Sequence, residues 1–213
     1  VKSAQQAGKS HLFHKVAQRW LSALSALFSI IAAGTPNAFA GPQFLPWFLT
    51  GLVSRDGEKA MSLTLSSPSF SSGGDIAKKF TCDGADTSPQ LSWTDPPAAT
   101  KSFAVLVDDP DAPVGNWNHW TLWNLPSSAR GLPEGVSKDA HLPDGSQQGL
   151  NDFHRTGYNG PCPPAGKPHR YYFKLFALDA KLDLKAGASK RELDAAIKGH
   201  ILAQAELMGR FGR

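Results

Sequence analysis

Two short stretches of the chain carry residue types that do chemistry. Residues 108–120 read DDPDAPVGNWNHW and residues 160–171 read GPCPPAGKPHRY. Each joins a histidine to stiff, proline-rich chain. Pro110, Pro113, Pro163 and Pro164 fix φ, so their loops arrive already shaped. Gly160 allows backbone N–H groups to approach a guest closely. His119 and His169 offer imidazole N–H groups, and Asp109 or Asp111 can orient a ring and support its charged form. Tyr171 adds a hydroxyl. Such a set suits a small anion, a phosphate group for instance, held by neutral donors and imidazole. Concave arrays of backbone N–H groups bind anions without a basic domain around them.

Each residue also has a plainer role. Aspartates in a D-P-D loop make Asx-turns, and a histidine at a strand start commonly just packs. Trp117, Trp120 and Trp123 read as core or pocket wall. Arg170 alternates with Tyr171, so one of the two faces a given side. The pairing of two such clusters, each at the end of a strong strand, favours chemistry. It requires that both loops and both histidines share one end of the fold.

The elements that must position them are mostly strands. Residues 102–107 (SFAVLV) are continuously apolar and predict a central strand, with 119–124 (HWTLWN) as its partner. Residues 170–178 (RYYFKLFAL) form a second strong strand, while 62–65, 77–81 and 91–93 read as short ones. Residues 125–168 show no convincing periodicity, and irregular chain of that length is usually functional. A helix is expected over 189–198, with Ser189 and Glu192 as a capping box and Leu193, Ala196 and Ile197 on one face. Residues 201–208 fit a short helix, which propensity favours, or a final strand. Strands first and a helix late predict a mainly β fold, an antiparallel β-sandwich with a few peripheral helices.

The net charge of +4 is unevenly placed. Residues 1–60 hold six Lys/Arg against two Asp/Glu, and 61–213 hold sixteen of each. The body is therefore neutral overall and gives no reason to expect nucleic acid as a partner. No Cys/His cluster has zinc spacing. Cys82 and Cys162 are either two buried thiols or, in an exported protein, a disulfide.

Residues 1–40 have a signal peptide-like layout: a basic flank at Lys15 and Arg19, an apolar run over 21–33, and Ala38-Phe39-Ala40 before Gly41. The run is shorter than the ~20 residues of a comfortable membrane span. Residues 41–60 read as a linker and 61–213 as the folded domain, with a periplasmic or secreted location expected. An uncleaved anchor, or a start at Met61 that leaves the protein cytoplasmic, would also fit.

The residues of both clusters resemble the phosphatidylethanolamine-binding protein (PEBP) family, in particular its bacterial YbhB/YbcL, Raf-kinase-inhibitor-like branch. The likeness lies in DPDAP followed by HW, GPCPP followed by HRY, CDGADTSPQLSW over 82–93, NDFHRTGYNGP over 151–161, and the ending GHILAQAELMGRFGR. It runs from about residue 62 to the end. It implies a PEBP-like sandwich with a pocket for phosphate-like head groups at one end, lined by Asp109, Asp111, His119, Gly160, His169 and Tyr171. Pro110, Pro113, Pro163 and Pro164 would shape that pocket. Bacterial members of the family are often dimeric, so a homodimer is an option here. Members are known as phospholipid head-group binders and as inhibitors of kinases or serine proteases, activities that vary across the family and do not transfer by motif. No cofactor is called for. His154 departs from the pattern, where a small residue such as Gly is expected.

Three functions compete. The first is a non-enzymatic binding module for a small anion or phospholipid head group. The second is a hydrolase using His119, His169 and an aspartate as a metal site or acid/base pair. HExxH and G-x-S-x-G are both absent, which weighs against it. The third is an inhibitor that contacts a kinase or protease through residues 125–168.

Overall fold

The central strand is buried along its whole length because both of its faces are covered. A computed structural model describes residues 62–213. In it β3 (Ser102–Asp109) lies between β4 (Trp117–Pro126) and β7 (His169–Leu178) in a five-stranded antiparallel sheet of order β6-β4-β3-β7-β8. β6 (Gln147–Gln148) and β8 (Ile201–Phe211) form its edges. A smaller antiparallel sheet, of order β1-β2-β5, joins Thr64–Ser66, Leu91–Thr94 and Gly131–Leu132.

Side chains alternate across β3. Phe103, Val105 and Val107 enter the main core with Leu65, Trp93, Trp120 and Phe173, between the two sheets. Ala104 and Leu106 face the other way, against Trp123, Phe176, Leu193 and Ile197. The last two belong to α1 (Lys190–Ile197), which starts at Ser189 with the expected capping box to Glu192. A strand covered on both sides reads as an unbroken apolar run. This is the mainly β sandwich that the order of elements predicts.

Two local expectations change. Residues 77–81 are not a strand. Lys78–Phe80 forms a 3-10 turn, closed by Phe80 N–H donating to Ala77 O and by the Thr81 hydroxyl and N–H donating to Lys78 O. The turn buries Phe80, and five residues were too few for alternation to exclude it. Residues 201–208, open between helix and strand, are the first part of β8, which pairs with β7 from Ile201 to Phe211. Tertiary pairing overrides helix propensity here. A Cβ on Gly209 would lie 2.6 Å from Ile76 Cγ1, so that strand position needs glycine for close approach.

Beyond the end of β4 at Pro126, residues 127–168 contain the short β5 and β6, and side-chain hydrogen bonds order much of the rest. The Gln148 amide donates to Ser137 O and Asp139 O, and Asn151 bonds to Gly157 O and Asn159 Oδ1. The signal-like segment 1–40 and linker 41–60 lie outside the described residues.

Candidate functional site

The inner face of the large sheet ends in Asp109 on β3 and begins in His169 and Tyr171 on β7. The antiparallel register pairs Asp108 with Tyr172, so these ends coincide. His119 joins them through a β-bulge. Val107 pairs with Trp120 and Asp108 with Asn118, leaving His119 as the extra residue of β4. Bulges re-aim side chains next to functional sites. Here Trp120 packs into the main core while the adjacent His119 ring stands edge-on to Tyr171, at 5.2 Å between centroids.

A cavity of ≈190 Å³ opens at this end. Its polar wall is Asp109, His119 and His169, and Pro113, Pro163 and Pro164 form part of its rim. Thus the two proline-stiffened corners meet around one space. The sequence reading passed over Ala112, Val114 and Phe153, which also line it, and Trp117 takes the wall alternative considered for it. Phe153 bridges Trp117 and His119 edge-to-face, at 5.4 and 5.3 Å. An aromatic row therefore runs from buried Tyr171 out to the rim.

His169 Nδ1 lies 2.8 Å from Asp109 Oδ2, and Asp109 Oδ1 accepts from Asp111 N–H at 2.8 Å. His119 Nδ1 lies 2.7 Å from the Asn159 carbonyl oxygen. Burial lowers the pKa of His119, although the Asn159 carbonyl opposes the shift. A carbonyl oxygen only accepts, so the neutral ring carries its proton on Nδ1 and keeps a lone pair on Nε2. The neutral ring of this tautomer thus offers an acceptor at Nε2, alongside the donor role expected from sequence for the charged ring. Tyr171 Oη is buried without a hydrogen-bond partner among the described residues. Burial, and then the charge of Asp109, raise its pKa.

The remaining predicted site residues stand off the cavity wall. Asp111 turns to Arg170, which donates from Nε at 2.8 Å and Nη2 at 2.6 Å, and from its backbone N–H at 2.9 Å. That guanidinium lowers the Asp111 pKa to about 2. Gly160 N–H donates to Asp86 Oδ1 at 2.6 Å, so it is not free for a guest. Tyr171 lies behind His119, and Pro110 is likewise absent from the wall.

Asp86 was the supporting residue hardest to anticipate. Beyond Gly160 it accepts from Asn159 Nδ2 and from Lys138. It therefore ties the loop of CDGAD to the wall loop, and Cys82–Cys162, joined as a disulfide, ties them again. The sequence signal for Asp86 is its place in CDGADTSPQLSW, one of the stretches that resemble the family. His154 is exposed, does not line the cavity, and has φ of +60°, a left-handed conformation that glycine adopts freely. Among the described residues no group of three or more His, Cys, Asp or Glu is arranged to hold a metal ion.

Comparisons with known proteins bear on the family and the fold. The family model described as phosphatidylethanolamine-binding protein matches residues 66–212. A UPF0098 protein of Methanothermobacter thermautotrophicus is 48% identical over 151 residues, 71% of this chain and 99% of its own length. One from Aquifex aeolicus is 48% identical over 149 residues, 69% of this chain and 86% of its own. Among solved structures, Escherichia coli YbcL, titled a new member of the mammalian PEBP family, superposes with a TM-score of 0.68 at 36% identity. The match covers 71% of this chain and 99% of that one. A putative PEBP homolog from Chlamydia trachomatis gives 0.66 at 40% identity, covering 72% and 99%.

Proposed function

We propose that this chain, which belongs to the phosphatidylethanolamine-binding protein family, is a non-enzymatic binding protein whose cavity takes a small phosphate-type anion, free or as a head group. The single observation that carries the reading is the convergence of His119, His169 and Asp109 on one cavity from three separate strands. A monoanionic phosphate matches the proton inventory. Its P–OH donates to His119 Nε2, while His169 donates from Nε2 to a phosphoryl oxygen. Asp109 orients the His169 ring through Nδ1. The apolar rim shelters these bonds from water, where they are worth more.

The test is an NMR titration with inorganic phosphate and phosphorylethanolamine. Backbone shifts should move around Asp109, His119 and Pro163. His119→Ala and His169→Ala should each weaken binding by about tenfold to a hundredfold, as loss of one bond to a charged group implies. Unmoved resonances at millimolar ligand would defeat the reading. An exported location belongs to the same proposal. The Cys82–Cys162 bond supports it, because disulfides persist in oxidising compartments. N-terminal sequencing of the native protein tests it separately.

A further inference from the structure

An anion in a pocket needs positive charge nearby, and the wall described above holds neither Lys nor Arg. His119 is neutral at rest, and a charged His169 is balanced by Asp109. A cation does sit just beyond. Arg213 places Nη2 against both sulfurs of the Cys82–Cys162 bond. Cys162 is itself a wall residue, so the guanidinium lies one side chain from the cavity. Its charge also reaches the buried Tyr171 behind His119, where it opposes the upward shift of that hydroxyl.

We propose that Arg213 is the charged member of this pocket, the residue that draws in and holds its anion. The inference rests on the anion reading given above. The matched family region ends at residue 212, so that match does not assign Arg213 a role.

The resting contacts of Arg213 suit such a role. Disulfide sulfurs are weak acceptors, so they hold the guanidinium loosely. Its one charged partner is Asp83, 3.2 Å from Nε, and both side chains are about one-third exposed. Exposed pairs of this kind are weak. Nη1 makes no hydrogen bond within the described residues, which leaves donors for a phosphoryl oxygen. Arginine presents such donors as a planar fork that matches phosphate.

The experiment measures affinity for inorganic phosphate and phosphorylethanolamine by calorimetry at pH 6, at low and at moderate salt. Arg213→Gln should weaken both ligands about five- to tenfold at low salt, as expected for one charge at this range, and should flatten the salt dependence. Arg213→Lys should recover most of the loss, and Asp83→Asn should tighten binding by freeing the guanidinium. Matched urea midpoints and the absence of titratable thiol confirm that the variants keep the fold and the disulfide. Wild-type affinity in Arg213→Gln, or no change in Asp83→Asn, overturns the proposal while leaving the anion pocket standing. A wild-type protein that binds neither ligand defeats both readings together.

Discussion

Asp109 and His169 meet across the end of the large sheet, with Nδ1 and Oδ2 2.8 Å apart and both residues buried, at 3% and 9% exposure. The carboxylate has a second task, since its other oxygen accepts from Asp111 N–H. It therefore satisfies two donors, one on β7 and one on the corner after β3. An amide has only one acceptor atom.

Asp109→Asn should fail one of those donors and turn an N–H toward it. The expected loss of stability is about 1–3 kcal/mol, measured by urea unfolding. Phosphate affinity should fall about tenfold, because one charge-assisted interaction that fixes and supports His169 is gone. Unchanged affinity would show that the pair is structural only.

His119 should make stability depend on pH. Its pKa is lowered in the fold by burial, whereas in the unfolded chain imidazole titrates near ~6.5. The unfolded state thus binds more protons just below that value. Stability should hold above it and decline as the pH drops through it. His119→Gln should remove part of this slope in urea midpoints taken between pH 5 and 8. Ligand binding should show the complementary effect. Phosphate monoesters bring a proton up to their second pKa near ~6, so affinity should fall as pH rises past it. Calorimetry in two buffers of different ionisation heat reads the proton uptake directly.

Gly160→Ala tests the support behind the wall. The new Cβ would fall 2.1 Å from Phe80 O and 2.8 Å from Thr81 Cα, both backbone atoms that cannot rotate away. The expected cost is about 1–3 kcal/mol, with the Gly160 N–H pushed from its bond to Asp86. Urea unfolding checks the cost, and a neutral result would mean the two loops yield easily.

Asp111→Asn should leave the pocket almost unaffected. Its carboxylate faces Arg170 outside the cavity wall, and that pair is partly exposed, so less than about 1 kcal/mol of stability should be lost. Phosphate affinity should stay within about twofold by the same titration. A larger drop would return Asp111 to the ligand shell.

The sequence alone determined much of this protein. The apolar run of β3, the second strong strand and the capping box at Ser189 follow from local pattern, because burial on two faces and helix capping each leave a signature within a few residues. The two motifs announced Asp109, His119 and His169, whose types and neighbours suit a common task. Even the oddity at His154 had a readable cause, now visible as positive φ.

Only the tertiary structure decided how those parts are used. β8 is a strand because β7 offers it an edge, and residues 78–80 turn because Phe80 must reach the core. The bulge at His119, the engagement of Gly160 by Asp86 and the turn of Asp111 toward Arg170 all depend on partners more than thirty positions away or across a strand register. Hydrogen-bond direction and burial are properties of the assembled neighbourhood. Residue identity fixes which bonds a side chain is able to make, and packing selects among them.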